Sequence, residues 1–189
     1  MKQKELKFLD KYFDDFKKLV TLNSEEIKKK IINLKKVVIR AKKNHKKILI
    51  FGNGGSAAIA SHFSVDLTKN TKIRCQNFNE ADLLTCFSND YGYEKWVAKA
   101  IEFYADNRDV VIFISSSGKS KNMLNGVLSA KKKKISKIIT FTGGAKNNPL
   151  SKKGHINLWV NSKIYNYIEN IHQFWLLSIC DSIKLNKLS

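Results

Sequence analysis

The sequence predicts an α/β protein, a three-layer αβα sandwich around a five-stranded parallel sheet, preceded by a pair of helices. Three observations predict it. Four short, largely apolar runs, at 48–51, 110–114, 138–141 and 156–160, and a further strand-length segment at 73–78, read as strands. Segments with helical periodicity lie between them, so strand and helix alternate as in parallel βαβ units. Two of the runs end in glycine- or serine-rich loops that lead directly into a helical pattern.

In chain order, residues 3–20 place Leu6, Leu9, Phe13, Phe16 and Val20 at helical spacing. Asn23 then has the character of an N-cap, with Glu26 three positions later as in a capping box. The second helix carries Ile27, Ile31, Leu34, Val38 and Ala41 on one face, with lysines on the other. The run 48–51 is uniformly apolar and ends at Gly52, as in a strand covered on both faces. Helical patterns follow at 56–69, 93–105 and 119–133, and a last amphipathic helix at 165–184. Residues 1–45 are thus a helical pair and 46–189 the αβα core of a single domain. The chain has no Pro/Gly linker, and its one proline is Pro149.

Composition narrows the function. The 189 residues carry 35 basic and 16 acidic side chains, a net charge of +19. Such charge attracts anionic metabolites or polyanions. Only Arg40, Arg74 and Arg108 among the basic residues are arginine, whereas nucleic-acid readers rely on arginine for bidentate contacts. Nucleic acid is therefore not an expected partner. The lysine excess fits solvated helix faces. No apolar stretch is long enough for a membrane span, and the first residues lead into mixed charge, so neither membrane nor secretion is expected. Cys75, Cys86 and Cys180 are widely spaced and odd in number, which suits a reducing cytoplasm.

Two loops carry the chemistry. Gly52-Asn53-Gly54-Gly55-Ser56-Ala57-Ala58 follows the run at 48–51, and Ser115-Ser116-Ser117-Gly118-Lys119-Ser120 follows the run at 110–114. Each places exposed backbone N–H groups and hydroxyls at a helix start, where an anion is favoured. Either alone is an ordinary capped turn; two in one small α/β chain indicate a phosphate site. The first loop also matches G-x-G-x-x-A through Gly52, Gly54 and Ala57. A dinucleotide site, however, needs an acidic residue after the next strand, and Glu80 is a late candidate. The end of the second loop matches a Walker A loop except that Phe113 stands where the first glycine belongs. No nucleotide cofactor is expected.

The strand–Gly-Asn-Gly-Gly-Ser-Ala-Ala segment, with a histidine six residues after the serine, resembles the sugar isomerase (SIS) domain family, in its phosphoheptose isomerase branch. Residues 88–94 (Ser-Asn-Asp-Tyr-Gly-Tyr-Glu), residues 114–122, and Thr142-Gly143-Gly144 extend the resemblance over nearly the whole chain. It implies a homotetramer with active sites between subunits. It implies isomerisation of sedoheptulose 7-phosphate to an aldoheptose 7-phosphate, feeding heptose to surface glycans. It also allows a non-catalytic alternative, a regulatory tetramer that binds a protein such as a replication initiator.

Carried over by position, Ser115, Ser117 and Ser120, with Ser116 beside them, hold the phosphate. Asn53, Gly54 and Ser56 face the sugar, and Asp90 is an acidic group near it. The catalytic set is His62, Asp66, Glu169 and His172, with zinc as the expected metal on His62, Asp66 and Glu169. Three positions depart from the pattern: Asp66 replaces the basic glutamate, Glu169 a glutamine, and Leu177 a histidine. Aspartate is one methylene shorter, which retracts the carboxylate by roughly 1 Å and costs ~100-fold if nothing compensates. His62 and Asp66, at i and i+4, share a helix face, as a metal pair or a base with its partner requires.

Overall fold

The structure, a computed structural model, describes residues 2–22 and 24–185. Helices α1 (Lys2–Thr21) and α2 (Ser24–Lys43) precede β1 (Ile48–Phe51), α3 (Gly55–Thr71), β2 (Cys75–Gln76), α4 (Ala81–Tyr91) and α5 (Trp96–Tyr104). Then come β3 (Val110–Ser115), α6 (Lys121–Lys132), β4 (Lys137–Thr142), β5 (Ile156–Trp159) and α7 (Tyr165–Leu185). Asn23, the expected N-cap, lies outside the described residues; Glu26 pairs with Lys30 at 2.6 Å.

All five strands are parallel, in the order β2-β1-β3-β4-β5. The central strands are apolar on both faces because helices cover both. Ile48, Ile50, Val110, Ile112, Ile114, Ile139 and Phe141 join one core with α2, α3 and α7. Leu49, Phe51, Val111, Phe113 and Ile138 join the other with α5 and α6. The period-2 alternation of a strand thus divides one apolar run between two layers. Leu34, Val38 and Ala41 of α2 belong to the first core, so the helical pair is anchored to the sheet layer. Among the described residues no helix is long and apolar enough to cross a membrane.

Three elements differ from expectation. The second strand shrinks to Cys75–Gln76. The side chains of Asn77 and Asn79 donate to Ser64 Oγ (2.9 Å) and Ala57 O (2.8 Å), which draws the chain off the sheet edge and onto α3. Helix α4 was not foreseen; Leu83, Leu84 and Phe87 pack on the second core, and Gly92 ends the helix. The stripe on α1 is only half covered. Phe16, Leu19 and Val20 pack on the core, while Leu6 (57% exposed) and Phe13 (65%) stand in solvent.

Candidate functional site

The chain leaves β1 toward β2 on one side and reaches β3 on the other. Where neighbouring connections diverge, the carboxyl ends of β1 and β3 open a crevice, the usual ligand position of such sheets. Both notable loops lie at those two ends. Together they line a cavity of about 200 Å3 whose wall includes Asn53, Ser56, Ser115, Ser116, Ser117, Ser120, Tyr165 and Glu169.

The serine loop gathers its hydroxyls in a tight turn at the start of α6. Gly118 turns it with φ 64°, and the Asn148 side chain packs against its Cα so closely that a Cβ would collide. Ser117 Oγ accepts from Lys119 N at 3.2 Å, so its own proton is free to point outward. Ser120 occupies the N-cap position of α6 but makes no side-chain cap bond. Its hydroxyl instead pairs with Ser115 Oγ at 3.2 Å, and in the first turn of α6 the Met123 amide donates to Asn122 Oδ1 at 3.0 Å. Across the crevice, Asn53 forms a reciprocal amide pair with Asn122 (3.1 and 2.9 Å), and the Tyr93 hydroxyl donates to Asn53 Oδ1 at 3.2 Å.

Helices α3 and α7 run side by side along this crevice. Glu169 reaches back to the start of α3, where its carboxylate lies against Gly55; any side chain there would displace it. The Ser116 hydroxyl donates to Glu169 Oε1 at 3.4 Å. Farther along, His62 Nε2 stands 3.6 Å from Asp66 Oδ2, and Gln173 Nε2 stands 3.2 Å from His62 Nδ1.

Not every expected residue is brought in. His172 is fully buried and does not line the cavity. Its Nε2 lies 3.1 Å from the Thr142 carbonyl, to which it can only donate, and its Nδ1 has no partner among the described residues. Burial pulls its pKa down to about 4, partly opposed by the Thr142 carbonyl. It is a neutral core histidine, packed edge-on to Phe141, and the expectation of a catalytic role is corrected accordingly. Asp90 is exposed on α4 and bonded to Asn89, outside the cavity wall. Gly54 shapes the turn without lining the cavity, and His62 and Asp66 pair with each other farther along α3, also outside the cavity wall. Among the described residues no three His, Cys, Asp or Glu side chains converge as a metal site, so His62, Asp66 and Glu169 do not form the expected zinc triad. Glu169 is committed to Ser116 and the α3 terminus, and His62 already has a polar neighbour at each ring nitrogen. Cys180 is no nucleophile: burial first, and then Asp66, push its thiol up to about 12.

Gln173, Tyr93, Asn122 and Tyr165 were not singled out from sequence. Tyr93 and Asn122 lie inside the motifs at 88–94 and 114–122, which marked them; Gln173 follows Glu169 by one helical turn, the only signal it carried.

The comparisons with known proteins agree with this geometry. Residues 11–143, more than half of the chain, match the SIS domain model. A phosphoheptose isomerase of Helicobacter pylori (strain P12) is 34% identical over 177 residues, covering 86% of this chain and 90% of that protein. One from Campylobacter concisus is 35% identical over 147 residues, covering 75% and 77%. A solved phosphoheptose isomerase from Francisella tularensis superposes with a TM-score of 0.88 at 26% identity, over 95% of this chain and 98% of that one. The crevice between β1 and β3, its serine cradle and these matches together show that the chain belongs to the SIS domain family, in its phosphoheptose isomerase branch.

Proposed function

We propose that this protein is an aldose–ketose isomerase that interconverts sedoheptulose 7-phosphate and an aldoheptose 7-phosphate, supplying heptose for surface glycans. The observation that carries this reading is the cavity in which a four-serine cradle meets the Glu169 carboxylate. The phosphate is held by Ser115, Ser117 and Ser120, with Ser116 beside them. Asn53 and Ser56, on the opposite wall, meet the sugar hydroxyls.

Isomerisation moves a proton between C1 and C2 through an enediol and needs a base, plus a path for the hydroxyl protons. In this proposal Asp66 takes the proton from C1 of the ketose and returns it to C2, with His62 beside it. Glu169 accepts the hydroxyl proton that must move between O2 and O1. Electrons and protons balance without an external oxidant. Zinc enters no step, because Glu169 does not converge with the neighbouring His62 and Asp66 among the described residues. The exposed stripe of Leu6, Leu9 and Phe13 on α1 supports a homotetramer, since a monomer seldom leaves such a face uncovered. Three free thiols support a cytoplasmic setting.

The test is incubation with sedoheptulose 7-phosphate in deuterated buffer, followed by proton NMR. Deuterium should enter C1 or C2 and aldoheptose phosphate should accumulate. Asp66→Asn should abolish both while leaving phosphate affinity intact. No exchange by the wild type would leave a binding protein and end the isomerase reading.

A further inference from the structure

We infer that Gln173 is a positioning residue: it sets the tautomer and orientation of His62 so that the ring presents its Nε2–H to Asp66. The geometry stands by itself; its effect on rate rests on the isomerase reading above.

A glutamine amide nitrogen can only donate. At 3.2 Å from His62 Nδ1, it requires that nitrogen to offer its lone pair. The single proton of a neutral ring is then on Nε2, the atom 3.6 Å from Asp66 Oδ2. A small ring rotation closes that gap to a hydrogen bond. Donation therefore runs one way, from Gln173 on α7 to His62 and then Asp66 on α3, and it ends on the proposed base. Without the amide, the His62 side chain, 48% exposed, would divide its population between tautomers and ring orientations. Asp66 would lose a neighbour that holds its shorter side chain in place.

The position of Gln173 adds weight. Glu169, Gln173 and Leu177 follow one another at successive turns of α7, on the flank that packs against α3. Leucine at 177 carries no donor or acceptor. Gln173, one turn earlier, supplies a donor to the same pair of catalytic candidates. With Nδ1 accepting and Nε2 protonated, His62 keeps no free lone pair, consistent with the lack of a converged metal set among the described residues.

The experiment uses the full chain with 15N-labelled histidine at pH 8, where an ordinary imidazole is neutral; His62→Gln assigns the resonances. Gln173→Met removes the donor but keeps an unbranched side chain. Gln173→Glu keeps the shape and replaces the donor by an acceptor. Wild-type His62 should show Nε2 protonated. Gln173→Glu should move a proton onto Nδ1, and Gln173→Met should average the two nitrogens. With sedoheptulose 7-phosphate, Gln173→Met should lower kcat about 10-fold, the effect of losing one orienting hydrogen bond, with KM within about twofold. A wild-type ring protonated on Nδ1, an unchanged 15N pattern in both variants, or an unaltered kcat would overturn the inference. If the wild type shows no turnover, the isomerase reading fails, and the 15N pattern alone decides whether Gln173 sets the ring.

Discussion

The hydroxyls of Ser115 and Ser120 lie 3.2 Å apart and share one proton between them, so one of the two donates inward and the other is free for an anion. Removing either serine releases the survivor to turn its own proton toward the phosphate. Ser115→Ala and Ser120→Ala should therefore each cost little, about 0.5 kcal/mol, whereas the double variant loses the donor altogether. A hydrogen bond to a charged group is worth roughly 1.5–3 kcal/mol, so the double variant should bind phosphate about 10- to 150-fold more weakly. The coupling between the two sites would then be about 0.5–2 kcal/mol, within the range seen for residues in contact. Ser117 is not redundant in this way. Its oxygen is held by Lys119 N and its proton points outward, so Ser117→Ala alone should cost about 2 kcal/mol. Calorimetric titration of the four proteins of the cycle, and of Ser117→Ala, with sedoheptulose 7-phosphate and separately with inorganic phosphate measures each of these losses. If the two single losses simply add, both hydroxyls reach the phosphate independently and the shared-proton reasoning is refuted. If Ser117→Ala binds like the wild type, the loop is not the cradle.

Three further outcomes follow from other parts of the molecule. Light scattering should give about 86 kDa, four chains of 21.6 kDa, and Phe13→Asp should lower it; a wild-type monomer at micromolar concentration would remove the proposed assembly. The unfolded chain takes up a proton on His172 near the ordinary 6.5, but the folded chain does so only near 4, so stability is full above pH 6.5 and falls as pH drops toward 4, by up to about 3 kcal/mol. Urea midpoints of the wild type should fall more steeply over that window than those of His172→Leu; parallel slopes would contradict the buried neutral ring. Asp109 is buried and accepts from Lys47 N (3.0 Å), Asp106 N (2.8 Å) and Lys47 Nζ (2.8 Å). Asp109→Ala strands the two backbone N–H groups, while Lys47 Nζ keeps Asp106 Oδ2 at 2.6 Å, and should cost about 2–4 kcal/mol in urea unfolding; a loss below about 1 kcal/mol would show that water replaces the carboxylate.

The central strands were legible because each is a run of apolar residues too short for a helix and bounded by turn-forming residues. β2 was not, because its length is decided by Asn77 and Asn79 bonding to α3 rather than by its own residues. Helix α4 was missed because its apolar face is narrow and sits among polar residues that also suit a loop. At the site, the two loops were legible since glycine and serine at a strand end have few other uses. The fate of His172 was not. Its motif neighbours argued for chemistry, and only burial beside Phe141 and the bond of its Nε2 to the Thr142 carbonyl show that the ring is enclosed in the core.

By itself, the sequence determined which segments are strands, which loops collect backbone N–H groups and hydroxyls, and that His62 and Asp66 share one helix face. These follow from local rules, the period of a strand, the period of a helix and the freedom of glycine, which act within a few residues. The tertiary structure decided which side chains meet across the sheet layers. It carried Glu169 to the start of α3 and Gln173 to His62, and it left Asp90 and His172 outside the cavity wall, with His62 and Asp66 farther along α3 beyond that wall. Those encounters join positions more than a hundred residues apart in several cases, and they depend on how α3 and α7 pack, a quantity that no local pattern encodes.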